Sequence, residues 1–180
     1  GNVASYTLTI EQFGGSGMVV PGWGFLLNNE LTDFNFAPMA AGVPDPNLPG
    51  AGKRPRSSMA PTIILKDGKP FLAVGAAGGA TIITTTLQII AGHLDRGLPL
   101  VAAVAAPRIS SRNTAATAEP ELIVSEVGKQ LAVWGQPMTP AATIGRATAI
   151  RLLGGGRVSA ATETVRGGGG SAMVVQRDRR

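Results

Sequence analysis

The sequence predicts an α+β fold, and three patterns carry that prediction. Residues 4–11 alternate between apolar and polar side chains, which is the period of a β-strand. Residues 62–74 hold two apolar runs separated by an Asp-Gly pair, the signature of a β-hairpin. Apolar residues then recur at helical spacing over residues 83–94. We therefore expect a strand-rich protein with few helices.

The other elements follow from the same kinds of signal. Upstream of the hairpin we predict a short strand, a strand end and a long ordered loop rich in proline and glycine: residues 18–20, 26–29 and 38–55. Gly97 ends the first helix, and Pro107 stops a second. That second helix, a strand, a third helix and three closing strands are predicted at residues 100–106, 121–124, 125–134, 147–153, 157–162 and 172–176.

The composition is that of a folded domain. The chain of 180 residues is 44% hydrophobic and 15% charged, which favours a globular protein over a disordered one. We predict that residues 1–180 form a single domain. Cysteine is absent, so the fold holds no disulfide and no thiol nucleophile. No apolar run approaches the roughly 18 residues of a membrane span, and none is expected.

The net charge of +5 does not predict a nucleic-acid partner. The cations form no long stripe, and aromatic residues make up only 4% of the chain, too few to interleave with the cations as stacking platforms. A basic surface that faces an acidic partner subunit or an anionic small ligand explains the charge equally well.

Residues 53–62 combine cations, proline and two adjacent hydroxyls, those of Ser57 and Ser58. This combination suits the carboxylate of a small ligand, because cations supply charge and hydroxyls supply directed hydrogen bonds. On its own, such a run is more often a solvated loop.

Glu30 and Asp33 form an acidic pair that suits a ligand's ammonium group, since a carboxylate offers it a charge-assisted hydrogen bond. The alternative is a helix that begins at Asp33, with Glu30 in solvent.

Gly78 and Gly79 separate a predicted strand from the predicted helix. Two glycines allow a ligand to approach the backbone closely, and amides at a helix N-terminus attract developing negative charge, as an oxyanion hole requires. A phosphate-binding loop is excluded because no Gly-Lys-Ser/Thr follows. The alternative is an ordinary tight turn.

His93 is the only histidine, and we expect it at a helix end or on the surface rather than in catalysis. The sequence contains no His/Cys/Asp cluster typical of a metal site, so no metal is predicted.

These motifs together closely resemble the small subunit of the γ-glutamyltransferases, a family of N-terminal-nucleophile (Ntn) hydrolases. The resemblance covers nearly the whole chain, from Gly1 to the run at Gly167–Ser171, and four segments carry it: residues 6–12, 26–34, 53–62 and 74–81. It implies that the chain forms one half of an α/β/β/α four-layer sandwich. It also implies no cofactor.

The resemblance assigns a role to each candidate residue. Thr9 would support the nucleophile, and Glu11 would contact the substrate's α-amino group. From the pattern alone, these two residues would lie on the solvated face of a strand. Glu30 and Asp33 would bind the substrate's ammonium group. Ser57 and Ser58 would bind its carboxylate. Gly78 and Gly79 would form the oxyanion hole.

The implied activity is cleavage of γ-glutamyl amides such as glutathione through a γ-glutamyl-enzyme. The acyl group would pass to water, an amino acid or a dipeptide. The implied partner is a large subunit cut from the same self-cleaving precursor, and the implied location is periplasmic or secreted. Two alternatives remain: a related Ntn acylase of the cephalosporin or glutaryl type, and a non-catalytic fragment with only a structural role.

The chain starts on Gly1 without an initiator methionine, so we expect it to be an interior piece of a longer product. In the family, the nucleophile is a threonine roughly ten residues before the position that matches Gly1. The 180-residue piece is therefore expected to be inactive alone.

Overall fold

The computed structural model describes residues 1–112 and 115–167, which belong to two compact units. One unit comprises Gly1–Thr7 and Met59–Arg180, and the other comprises Leu8–Ser58. The single domain expected for residues 1–180 stays a prediction. The strand predicted at 172–176 lies outside the described residues.

The larger unit contains the α-helices and β-strands of the described residues. In chain order, its elements are β1 (Thr62–Lys66), β2 (Lys69–Ala77), α1 (Ile82–Leu94), α2 (Leu100–Ala105), β3 (Ile109–Ser110), β4 (Ala116–Ala118), α3 (Pro120–Val124), α4 (Glu126–Val133), β5 (Met138–Pro140), β6 (Arg146–Gly154) and β7 (Arg157–Thr162). Four strands form an antiparallel sheet in the order β1-β2-β6-β7. A small sheet, which the sequence did not predict, has the order β3-β4-β5.

The predicted hairpin is confirmed as β1 and β2. Its turn places Asp67 at φ 52° and Gly68 at φ 72°, the positive values that a two-residue hairpin turn requires and that Asp-Gly adopts readily. The closing strands predicted at 147–153 and 157–162 are also confirmed, as β6 and β7.

The core lies between one face of the main sheet and helices α1 and α2. It is formed by buried residues of β2, α1, α2, β6 and β7: Leu72, Val74, Ala76, Ile82, Ile89, Leu100, Ala103, Val104, Ala147, Ala149 and Ala161. The alanines of β6 and β7 keep this face shallow, which allows the helices to approach closely. Each fully buried leucine, isoleucine or valine contributes about 1.5–3 kcal/mol.

Helix α1 is confirmed, but its buried face is not the apolar row that predicted it. Thr85, Thr86 and His93 are buried, whereas Ile83 and Leu87 are more than half exposed. His93 does lie near the helix end, yet it is buried and not on the surface. Its Nδ1 lies 2.7 Å from the carbonyl oxygen of Leu98, so the buried ring has a polar partner.

Residues 4–11, predicted as a strand, form none. In the larger unit, this segment uses side chains instead of a backbone ladder. The hydroxyl of Ser5 donates to the carbonyl of Val74, and a Cβ built on Gly75 would lie 3.8 Å from the hydroxyls of both Ser5 and Thr7. The polar side chains therefore face the protein, while Tyr6 is exposed.

The strand predicted at 121–124 is wrong, because these residues belong to helix α3. Pro120 takes the first helical turn, where its missing N–H is not needed. The helix predicted next is confirmed as α4, which is capped by the hydroxyl of Ser125 accepting from the Gly128 amide.

The smaller unit, Leu8–Ser58, is mostly loop. The short strand predicted at 18–20 reduces to a single antiparallel bridge between Val19 and Leu26. A 3-10 helix spans Glu30–Asp33. The predicted loop at 38–55 is ordered by local hydrogen bonds, including those from the Lys53 ammonium to the carbonyls of Pro46 and Leu48.

Candidate active site

Glu30 and Asp33 occupy the first and last positions of the 3-10 helix in the smaller unit. The side chain of Asn28 accepts a hydrogen bond from the Glu30 amide at 3.0 Å and so satisfies one donor at the helix start. Asp33 ends this helix, so the alternative in which it begins a helix is wrong. Both carboxylates are held within a single helical turn.

Glu11 joins this turn through its side chain. Its carboxylate accepts a hydrogen bond from the Thr32 hydroxyl at 3.0 Å, and its amide donates to the Thr9 hydroxyl at 2.8 Å. Glu11 has φ 73°, a left-handed conformation that costs a non-glycine residue about 1–3 kcal/mol. Thr9 thus helps to hold Glu11 in a strained position beside the helix.

Asn29 fixes the segment that carries Glu11 to the helix. Its amide donates to the Ile10 carbonyl at 3.2 Å, and its side-chain oxygen accepts from the Gln12 amide at 3.1 Å. The two asparagines before Glu30 therefore position the acidic residues.

The three carboxylates interact electrostatically. Partial burial raises the pKa of Glu30, and the negative charges of Asp33 and Glu11 raise it further. Within the described residues, no arginine or lysine forms an ion pair with any of the three. A ligand ammonium placed among them would relieve this repulsion.

Asn47, which the sequence analysis did not single out, links the acidic turn (Glu30–Asp33) to the basic, serine-containing segment (residues 53–62). Its side-chain nitrogen donates to the Asp33 carbonyl at 2.7 Å, and its side-chain oxygen accepts from the Arg56 amide at 2.9 Å. One side chain therefore ties the acidic turn to the residue directly before Ser57 and Ser58. The local sequence offers only a weak signal for this role, an asparagine between two prolines.

Asp45 holds Asn47 in this position. Its carboxylate accepts from the Asn47 amide at 2.9 Å and from the Asn35 side chain at 2.8 Å. These hydrogen bonds, first the one from Asn35 and then the one from the Asn47 amide, lower the pKa of Asp45, so the carboxylate stays ionised. Asp45 thus has a structural role, which is to hold Asn47 in place.

The larger unit holds the two candidate oxyanion residues between β2 and α1. Gly78 has φ 144° and Gly79 has φ 55°, and a short 3-10 helix from Gly79 to Thr81 leads directly into α1. The Gly78 carbonyl accepts from both the amide and the hydroxyl of Thr81. The predicted turn between strand and helix is present, in a conformation that favours glycine.

Within residues 1–112 and 115–167, no group of three or more histidine, cysteine, aspartate or glutamate side chains could hold a metal ion. The same residues include no helix with the length and apolar character that crossing a membrane requires.

A model of the Gamma-glutamyltranspeptidase family matches residues 1–173. The chain belongs to this family. It is similar to the glutathione hydrolase proenzyme of Bacillus subtilis strain 168, with 56% identity over 109 residues, which cover 61% of this chain and 18% of that protein. The chain spans about a fifth of the length of the Bacillus subtilis protein and of the glutathione hydrolase proenzyme of Escherichia coli strain K12.

Solved structures of the family share the fold. The γ-glutamyltranspeptidase of Pseudomonas nitroreducens in complex with L-DON has a TM-score of 0.83 and 35% identity, and the match covers 98% of this chain and 95% of that chain. This similarity confirms the α+β fold of an Ntn hydrolase.

A cephalosporin acylase from Bacillus halodurans is also similar. Its TM-score is 0.71 with 27% identity, over 83% of this chain and 28% of that chain. The acylase is thus less similar in both fold and sequence than the Pseudomonas enzyme.

Proposed function

We propose that the chain is the small-subunit part of a γ-glutamyltransferase/glutathione hydrolase. The complete enzyme would cleave the amide bond of glutathione and other γ-glutamyl compounds. The γ-glutamyl group would be held as an ester on a threonine nucleophile and then transferred to water, an amino acid or a dipeptide. Family membership and the acidic turn of the smaller unit support this function.

The observation that carries the proposal is the grouping of Glu11, Glu30 and Asp33. Partial burial and then the negative charges of Asp33 and Glu11 raise the pKa of Glu30, and no side-chain cation in the described residues pairs with the three carboxylates. A γ-glutamyl substrate carries an α-ammonium group that matches this cluster. We infer that Ser57 and Ser58 bind the α-carboxylate, because Asn47 ties their segment to Asp33.

Gly78 and Gly79 would stabilise the transition state. As the nucleophile attacks, the carbonyl oxygen of the γ-glutamyl group gains negative charge, and backbone amides in this glycine turn would donate hydrogen bonds to it. Thr9 would support the nucleophile, in addition to its hydrogen bond with Glu11.

The partner would be the large subunit from the same precursor. We propose a periplasmic or secreted location, in keeping with the family resemblance.

The substrate's ammonium group allows a sharp test of this function. In the complete enzyme, Asp33→Asn would keep the shape of the side chain and remove its charge. A charge-assisted hydrogen bond contributes about 1.5–3 kcal/mol. We therefore expect kcat/KM for a γ-glutamyl anilide to fall about 10- to 150-fold. The glutaryl anilide, which lacks the ammonium, should be a poor substrate that the substitution hardly affects.

Asp67→Asn is the matched control. It removes the same charge at the hairpin turn, where asparagine tolerates the positive φ equally well, so both substrates should be unaffected. The acylase alternative predicts that the glutaryl anilide is the better substrate and that Asp33→Asn hardly changes kcat/KM for either anilide. A wild-type enzyme that cleaves neither substrate would support the non-catalytic alternative.

A further inference from the structure

Two arginines and two glutamates form a buried ion-pair ring in the larger unit: Arg108, Glu119, Glu163 and Arg166. Glu163 pairs with both arginines at 3.0 Å, and Arg166 binds both carboxylate oxygens of Glu119. Glu119 closes the ring by accepting from the Arg108 amide. All four side chains are at most 5% exposed.

The ring stays ionised. Burial alone would raise the pKa of Glu119 and of Glu163, but hydrogen bonds and the arginine charges outweigh burial and hold both values below the ordinary range. Removing four charges from water is costly, and an apolar cluster of the same volume often stabilises a fold equally well. Stability alone is therefore a weak explanation of the ring.

The ring holds the main chain of Ile144 and Gly145, directly before β6. Arg108 Nη1 donates to the carbonyl of Ile144 at 2.8 Å and to that of Gly145 at 3.2 Å. Glu119 accepts from the Ile144 amide at 2.8 Å. Three backbone groups of two consecutive residues are thus fixed by side chains of the ring.

Gly145 in turn packs directly on the glycine turn. The ends of β2 and β6 pair through Ala77 and Arg146, so the residues beyond these ends face each other. A Cβ built on Gly78 would lie only 2.8 Å from the Cα of Gly145. On its other side, a Cβ on Gly145 would lie 2.4 Å from the Thr85 hydroxyl of α1. Neither Gly78 nor Gly145 therefore has room for a side chain, and the Gly145 main chain lies close against both the glycine turn and α1.

We propose that Arg108 is a positioning residue for the glycine turn. It acts through the Ile144–Gly145 main chain, against which Gly78 rests, and the ring keeps its guanidinium in place. This inference depends on the proposed function, in which amides of the Gly78–Gly79 turn stabilise the oxyanion. Arg108 itself touches no reacting atom.

The test compares the two arginines of the ring in the complete enzyme. Arg108→Lys keeps the charge, but one ammonium cannot replace the fork that binds both carbonyls and Glu163. Arg166→Lys disturbs the same ring but reaches the Ile144 main chain only indirectly, through Glu119. Its backbone partners are the carbonyls of Val104 and Ala106, not those of Ile144 and Gly145. Glu126→Gln, in the exposed pair with Lys129, serves as the control for surface charge.

For Arg108→Lys, we expect kcat to fall at least tenfold per cleaved enzyme molecule, with KM within about twofold of wild type. Arg166→Lys should lower the melting temperature to a similar extent and reduce kcat less than threefold. Glu126→Gln should change neither quantity. Equal losses of kcat in the two arginine variants, or a rise in KM without a fall in kcat for Arg108→Lys, would overturn the proposal and leave a purely structural ring.

If Arg108→Lys yields no folded, cleaved enzyme, Glu163→Gln replaces it, because it loosens Arg108 and keeps the shape of its partner. A fall in kcat of threefold or more with unchanged KM supports positioning, and unchanged kcat refutes it. Wild-type activity on the γ-glutamyl anilide separates the two proposals. An inactive wild type contradicts the proposed function, whereas an active wild type with insensitive variants contradicts only the role of Arg108.

Discussion

Adding one methyl group at each residue of the glycine turn, Gly78 and Gly79, should have unequal effects. At Gly78, φ is 144°, and a Cβ would lie 2.8 Å from the Cα of Gly145 and 2.7 Å from the Thr81 hydroxyl. At Gly79, φ is 55°, and no atom of the described residues lies within 4 Å of a built Cβ. Gly78→Ala therefore meets both strain and a clash with backbone, whereas Gly79→Ala meets strain alone.

The structure gives the size of the difference. Carbon atoms in contact are about 3.5–4.0 Å apart, so Gly78 or Gly145 must shift by about 0.7 Å or more. Backbone strain costs about 1–3 kcal/mol and overpacking another 1–3 kcal/mol, so Gly78→Ala should destabilise the protein by about 2–6 kcal/mol. Gly79→Ala should cost about 1–2 kcal/mol, because it only places alanine in the left-handed region.

Catalysis should follow the same order. A displacement near 1 Å in a catalytic group can cost about 100-fold in rate, so we expect Gly78→Ala to lower kcat about 100-fold and Gly79→Ala less than tenfold. The measurements are kcat and KM for a γ-glutamyl anilide, with a thermal melt to verify that each variant is folded. A Gly78→Ala enzyme within threefold of wild-type kcat, or a Gly79→Ala enzyme that is the more damaged, would refute the reasoning.

Two further predictions concern stability. The pKa of Glu163 and of Glu119 is lower in the folded protein than the ordinary 4.5, so the stability that these carboxylates contribute is present above pH 4.5 and lost as the pH falls below it. Urea unfolding between pH 3 and 7 should show this loss of stability. Glu163→Gln should lower the free energy of unfolding by about 3–5 kcal/mol at pH 7 and make it depend less on pH. If the variant's free energy of unfolding depended on pH as steeply as that of wild type, Glu163 would not be a source of the pH dependence. Ser125→Ala should cost about 1 kcal/mol, because the Gly128 amide loses its cap; a melting temperature equal to that of wild type would argue against this cap.

The parts of the fold that the sequence predicted correctly have local causes. The β1–β2 hairpin depends on the Asp67-Gly68 turn, and α1 on a run of apolar residues that Gly97 closes. The prediction of a strand at 121–124 was wrong. Ile123 and Val124 favour a strand, but Pro120 begins a helix, and the amide of Ser125 closes its C-terminal end by donating to the Leu122 carbonyl.

In the candidate site, too, the sequence predicted the local features and missed the contacts between residues that are far apart in the chain. Glu30 and Asp33 were predicted because they are three residues apart in one motif, and the structure holds both in one turn. Asn47 was missed because its partners, Asp33 and Arg56, are 14 and 9 residues away in the chain. No periodicity in the sequence records such a contact.

The buried ring was beyond local patterns for the same reason. Arg108 and Glu163 are separated by 55 residues, and Arg166 and Glu119 by 47. Each of the four residues is a charged side chain in a loop or at a strand end, and charged side chains in such places are usually exposed to solvent. Only the fold brings opposite charges together where water is excluded.

Residues 4–7 show how a correct pattern can mislead about orientation. The alternation of Ser5 and Thr7 with apolar neighbours is real, and hydrophobicity would turn the apolar side inward. The structure does the reverse, because Gly75 of β2 leaves a space where the hydroxyls of Ser5 and Thr7 fit and the Val74 carbonyl accepts from Ser5. The hydrogen bond from Ser5 to the main chain thus turns the polar side chains towards the protein, and Tyr6 is exposed to solvent. Period alone fixes which side chains share a face, whereas the partner surface fixes which face is buried.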